Sequence, residues 1–109
     1  MRFENVDDNP EPGALKVTYS GWGDQALRVP HFKHPLVSIA QEPSIQPLSD
    51  GRLICVLRTA TGMIWFALSA DEGETWSQPQ PLRYSPDGPP IAHPLAPCPL
   101  YRLGDGRFI

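Results

Sequence analysis

The chain has 109 residues, about the size of one small domain. Its 9 basic and 12 acidic residues leave a formal net charge of −3, too small for an acidic tail, and no basic cluster marks a nucleic-acid surface. Hydrophobic residues make up 40%, enough for a core, but no window is long and apolar enough to span a membrane. The N-terminal stretch MRFENVDDNPEP lacks the apolar segment of a signal peptide, and the localisation of a parent protein, secreted or cytoplasmic, stays open. With 14 prolines and 9 glycines separating short apolar runs, the composition favours a β-rich chain with many turns over a helical one.

In chain order, residues 1–12 are acidic, contain proline and show no periodicity, which predicts a loop or frayed end. Residues 14–19 alternate well enough for a strand. From Gly21 to Gln41 the signals are mixed, with Pro30 and Pro35 interrupting any regular element. Residues 1–41 read as the end of a preceding unit and its loops.

Glu42 to Leu48 predicts a first clear strand, which Pro43 and Pro47 confine to an edge or to bulged pairing. Arg52 to Thr59 predicts a second, apolar on both faces and hence covered on both. Met63 to Leu68 and Trp76 to Leu82 predict a third and a fourth. Four antiparallel strands over residues 42–82, with no competing helical period, match one blade of a β-propeller. Residues 83–96 then read as a connector and 97–109 as the start of a next blade. Because an apolar run stops at Ile109, the chain is expected to be a piece of a longer protein.

An internal repeat supports the blade. Leu48-Ser49-Asp50-Gly51-Arg52-Leu53-Ile54 recurs as Leu103-Gly104-Asp105-Gly106-Arg107-Phe108-Ile109. The offset equals one blade plus a connector of about a dozen residues. Ser49-Asp50-Gly51 suits a three-residue hairpin loop, a type I turn closed by a left-handed glycine, so positive φ is expected at Gly51. Leu48 then flanks the loop opposite Arg52, and extending that register sets Glu42 directly across from Arg58 on one face of the sheet.

Ser69-Ala70-Asp71-Glu72-Gly73-Glu74-Thr75-Trp76 fits the pattern S-x-D-x-G-x-T-W, the Asp box or bacterial neuraminidase repeat. Its chemistry is structural: the Asp71 carboxylate can bond backbone N–H groups, Gly73 supplies a conformation other residues resist, and Trp76 buries its ring between strands. With EPSIQPLSDGRLICVLRT ahead of it, the box resembles the sialidase superfamily of six-bladed propellers over residues 42–82, and partly over 97–109.

That resemblance implies an exo-α-sialidase type of glycoside hydrolase acting on a sialic-acid-like or other acidic glycan. Three arginines hold the substrate carboxylate, a Glu activates a Tyr nucleophile, and an Asp serves as acid and base. The Tyr is the exception to the two-carboxylate glycosidase pattern. In the family the Glu opens a blade's first strand and one arginine closes the second. Glu42 and Arg58 occupy those places, as the base that polarises the Tyr and as one carboxylate-binding arginine. Ser69, Asp71, Gly73, Thr75 and Trp76 form the structural turn, which the family carries on the rim away from the site. The nucleophile, the acid/base and the other arginines are expected outside this chain, on the remaining blades, and the chain alone is expected to be inactive. The alternatives are a non-catalytic Asp-box propeller that binds carbohydrate or protein, and a related propeller glycosidase or lyase acting on another sugar.

Other residues carry less. Tyr84 and Tyr101 lie in the wrong neighbourhood for the nucleophile, and Arg28, before Val29-Pro30, reads as incidental. His31 and His34 lack the partners of a metal centre and read as loop histidines, as does His93, so neither a metal nor a cofactor is expected. Cys55 and Cys98 read as buried free thiols.

Overall fold

The computed structural model describes residues 2–19, 21 and 23–109. The described chain is all-β, with three single 3-10 turns (Val6–Asp8, Pro12–Ala14, Gly23–Gln25) as its helical content. None of its helices is long and apolar enough to cross a membrane. Six strands form two antiparallel sheets. Strands β1 (Arg2–Phe3) and β2 (Val17–Thr18) pair as a short ribbon, while β3 (Gln41–Pro47), β4 (Leu53–Arg58), β5 (Trp65–Ser69) and β6 (Gln80–Pro81) form a four-stranded meander in chain order.

The larger sheet is built around β4. Its β-branched and apolar side chains suit a strand covered on both faces, and the consecutive residues Cys55, Val56 and Leu57 are all buried. Cross-strand partners define the two faces. Ile45, Cys55 and Ala67 share one, and Ser44, Val56 and Phe66 share the other. On the Cys55 face lies a cleft of about 360 Å³ lined by Leu27, Pro43, Ile45, Leu53, Cys55 and Trp76. On the Val56 face the C-terminal segment docks through the backbone of one residue, Leu100. The Leu100 N–H donates to Ser44 Oγ at 2.9 Å, and the Gln46 amide donates to the Leu100 carbonyl at 3.0 Å. Ser44 and Gln46 are two apart on β3 and therefore point the same way.

The hairpin between β3 and β4 has the expected three-residue loop. The Leu48 N–H donates to the Arg52 carbonyl at 2.8 Å, and Gly51 has φ +86°. Ser44, Ile45, Gln46 and Pro47 pair with Val56, Cys55, Ile54 and Leu53, which is the register that loop dictates. The second DGR hairpin is a copy. Gly106 also has φ +86°, the Leu103 N–H donates to the Arg107 carbonyl at 2.7 Å, and Arg107 bonds Asp105 as Arg52 bonds Asp50.

Several segments are organised differently from the sequence-based expectations. Residues 1–12 are not simply a loop, since Arg2 and Phe3 pair with Thr18 and Val17. The strand expected over 14–19 shrinks to Val17–Thr18, because Pro12–Ala14 closes a 3-10 turn. The fourth strand shrinks from Trp76–Leu82 to Gln80–Pro81. Trp76 and Ser77 are taken up by the preceding turn, and Pro79 has no N–H to offer a ladder. Beyond β6, residues 83–96 make local backbone contacts. Arg83 bridges Pro90, the Ile91 N–H donates to the Leu82 carbonyl at 2.8 Å, and the His93 N–H donates to the Gly62 carbonyl at 2.9 Å. The mixed stretch before β3 also forms a loose hairpin, with buried Val29 accepting from the N–H of buried Ile39 at 2.8 Å.

Candidate functional site

Glu42 and Arg58 meet at the end of the sheet where β3 begins and β4 finishes. Arg58 Nη1 lies 2.8 Å from Glu42 Oε1, with 20% of the arginine side chain exposed and 46% of the glutamate. They do not meet as directly opposed partners. The register shifts between Gln41 and Ser44, so that Arg58 stands opposite Gln41. Glu42 lies inside this bulge with φ +47°. Pro43, which cannot donate to a ladder, explains why regular pairing stops here. A bulge re-aims a side chain, and the re-aimed Glu42 reaches Arg58 despite the shift. A left-handed conformation costs a non-glycine residue roughly 1–2 kcal/mol, and such outliers gather where a side chain must be held in one place.

Arg58 also keeps an unanswered donor. Its Nε is buried and has no hydrogen-bond partner. A buried unsatisfied polar group costs about 1–3 kcal/mol. The guanidinium edge that carries Nε is one of those that grips a carboxylate with two parallel N–H bonds. Buried Cys98 sits in the field of this pair. Its thiol pKa is raised, first by burial and then by the Glu42 charge, with Arg58 acting against the shift. Cys55 is pushed up to about 11, mainly by burial, and both cysteines are free.

Just past Arg58 the same end is stiffened by hydroxyls that the sequence reading missed. Buried Thr59 donates through Oγ1 to the Met63 carbonyl at 3.0 Å and lies 2.7 Å from Thr61 Oγ1, which accepts from the Trp65 indole at 2.9 Å. The signal was present as two threonines flanking one residue ahead of Gly62, a spacing that lets a hydroxyl bond the backbone two positions on. The Thr61 N–H does donate to Thr59 Oγ1, at 3.2 Å.

The turn over residues 69–76 lies at the other end of the ladder. Ser69 pairs with Leu53 whereas Trp65 pairs with Leu57, so the turn is removed from Arg58 by the length of β4, about 17 Å at roughly 3.4 Å per residue. Asp71 Oδ1 accepts from Ser69 Oγ and from the Thr75 N–H, each at 2.8 Å, and Oδ2 accepts from the Thr75 hydroxyl. Ser69 Oγ in turn accepts from the Gly73 N–H at 2.8 Å, and the Trp76 indole donates to the Gly73 carbonyl at 3.1 Å. Gly73 has φ +90°, and a Cβ there would lie 3.5 Å from the Trp76 ring. The bonds from Thr75, side chain then backbone, hold the Asp71 carboxyl down to about 2. The side chains of Ser69, Asp71, Thr75 and Trp76 thereby all find hydrogen-bond partners inside the turn. Arg2 reaches the turn from β1, its guanidinium 3.0 Å from Glu72 Oε2.

The remaining candidates are placed elsewhere. Tyr84 is exposed beyond β6, at the sheet margin opposite β3, and Tyr101 and Arg28 are exposed. His31 Nδ1 accepts from the N–H groups of Lys33 and His34, which makes it a loop-closing residue. Among the described residues no three His, Cys, Asp or Glu side chains converge as a metal site would require. No family profile matches the chain, and no curated protein is significantly similar to it.

Proposed function

We propose that the chain supplies one blade of a sialidase-like β-propeller, in a glycoside hydrolase of the exo-α-sialidase type acting on an acidic sugar. On this reading the four-stranded meander is the blade, the Asp box is its outer structural turn, and the opposite end faces the substrate. The other blades supply the Tyr nucleophile, the acid/base Asp and the further arginines. The observation that carries the reading is the Glu42–Arg58 pair, held by a strained bulge with an unanswered Arg58 Nε–H beside it.

Arg58 would bind the substrate carboxylate through the guanidinium N–H groups that Glu42 leaves free on its exposed part. Glu42 would accept a hydrogen bond from the incoming Tyr hydroxyl and take its proton as the phenolic oxygen attacks the anomeric carbon, while the glycosidic bond breaks and the acid/base Asp of another blade protonates the departing aglycone oxygen. A neutral nucleophile suits an anionic sugar because a carboxylate would repel it.

The test uses the longer reading frame that carries this blade, assayed with a fluorogenic sialoside. Glu42→Gln is expected to lower kcat by about 10²-fold or more with KM little changed. Arg58→Lys, which keeps the charge but loses the fork, is expected to raise KM about tenfold. A second reading is a propeller that binds glycans or proteins without chemistry. It is favoured by the exposure of Glu42 and by a carboxylate already answered within its own blade. No turnover in the parent, with glycan binding lost in Arg58→Lys and kept in Glu42→Gln, would select it.

A further inference from the structure

The hairpin between Val29 and Ile39 ends in a tip that serves neither the ion pair nor the Asp box. From Phe32 to Ser38 every residue is exposed without a break, so the tip projects from the fold. Its apolar side chains are the least covered of the region, with Phe32 77%, Leu36 89% and Val37 55% exposed. The tip is tied in place by its own backbone hydrogen bonds. The His31 N–H donates to the Val37 carbonyl at 2.9 Å, the His34 N–H to the His31 carbonyl at 3.1 Å and the Val37 N–H to the His34 carbonyl at 2.8 Å. His31 Nδ1 closes the first turn, and its ring stacks on Phe32 at 4.5 Å. Below the tip, buried Val29 and Ile39 anchor the stem.

The charge of the segment runs against that of the chain. From Gln25 to Gln41 there is no acidic residue, while Arg28 and Lys33 are cationic and exposed, in a protein whose formal charge is −3. Lys33 Nζ stands 5.6 Å from the centre of the Phe32 ring, so cation and apolar side chain are presented together. A pocket on a protein could accept one such side chain. A fluid interface accepts all of them at once, with aromatic and aliphatic groups entering the acyl boundary and the cations remaining at the phosphates.

We propose that the tip Phe32–Val37 is a peripheral membrane anchor that docks on an anionic phospholipid surface, with no segment crossing it. Phe32, Leu36 and Val37 insert, and Lys33 and Arg28 pair with headgroup phosphates. Insertion supplies the apolar share of the affinity, and the two cations make it depend on lipid charge and salt.

The test is flotation of the 109-residue chain on a density gradient with vesicles, which separates bound protein from any aggregate because aggregate does not rise with lipid. Vesicles of phosphatidylcholine containing a third phosphatidylserine are expected to carry the protein upward, and phosphatidylcholine alone at least tenfold less. The double variant F32S/L36S and the single variant K33E, both altering exposed side chains, are each expected to weaken flotation tenfold or more. The proposal is overturned if the parent chain does not float with the anionic vesicles, if F32S/L36S floats as well as the parent, or if both vesicle types carry it equally. Retention of the chain on soluble poly-glutamate through the same residues, without flotation, would assign the tip to an acidic polypeptide instead and overturn the lipid assignment.

Discussion

Arg58 stands opposite Gln41 in the β3–β4 ladder, yet its guanidinium bonds Glu42, Nη1 to Oε1 at 2.8 Å. The geometry requires Glu42 to leave the ladder, and its φ of +47° is how it does so. Glu42→Gly would lose an ion pair of about 0.2–1 kcal/mol at a half-exposed carboxylate. It would also relieve roughly 1–2 kcal/mol of left-handed strain. The two nearly cancel, and the denaturation midpoint should move little. Glu42→Val loses the same pair and places a β-branched residue where φ is positive, so it should destabilise by about 2 kcal/mol or more. Equal midpoints for the two variants would mean that the bulge is not left-handed.

This bulge also marks where the sequence stops being legible. The turn residues Asp50 and Gly51 determine the hairpin loop, and the loop determines pairing from Pro47 back to Ser44. Pro43 announced irregular pairing but not its size, because a missing N–H says where a ladder must break and not how far the register slips. The turn over residues 69–76 was readable as a turn because these bonds are local, all within that stretch. The pairing of Arg2–Phe3 with Val17–Thr18 was not, since two-residue strands carry no periodicity and their contact depends on distant chain. Trp76–Leu82 was over-read for the converse reason. An aromatic next to apolar residues looks like a strand start, but here the ring serves the turn before it.

The Asp-box turn should be a stability element and nothing more. Trp76 is half-buried against the Gly73 backbone and near Leu53, so Trp76→Ala should cost about 2–3 kcal/mol, less than the ~3–5 of a fully buried aromatic. Gly73→Ala meets only ordinary contacts at 3.5 and 3.7 Å, so its cost of roughly 1–2 kcal/mol comes from φ +90° and not from a clash. Both losses should register in thermal unfolding while ligand affinity in the parent protein stays within about twofold of the parent value, because the Glu42–Arg58 end is some 17 Å away. A large affinity loss at unchanged melting temperature would contradict this.

Acid should act through Asp71. Its folded carboxyl titrates at about 2, held down first by Thr75, whereas an unfolded aspartate titrates near 3.9. A group depressed in the folded state contributes stability that is full above its unfolded value and disappears as pH falls through the folded one. The stability difference between the parent chain and Asp71→Asn is therefore expected to be largest above about pH 4 and to shrink steadily toward pH 2. Asp50 and Asp105 are also lowered, each by its arginine two residues on, but they are present in both proteins and cancel in the comparison. A difference independent of pH across that range would show that the carboxylate charge is not what the turn recognises.

The grip of β3 on the C-terminal segment offers a test at single-residue resolution. The Leu100 amide has a side-chain acceptor, Ser44 Oγ at 2.9 Å, and its carbonyl has a side-chain donor, Gln46 Nε2 at 3.0 Å. The Leu103 amide, three residues on, is bonded instead to the Arg107 carbonyl within its own hairpin. Ser44→Ala removes only the first acceptor, and the site is part-buried, so water replaces it incompletely. Hydrogen exchange at Leu100 should then accelerate by about tenfold, equivalent to roughly 1.4 kcal/mol of lost local protection. Exchange at Leu103 should hold its parent rate, because the repeat hairpin closes on itself through Gly106 and Asp105. If both amides accelerate together, the C-terminal segment opens as one unit and Ser44 holds the whole hairpin to the sheet. If neither changes, the Gln46 bond alone suffices and the Ser44 contact adds nothing to docking.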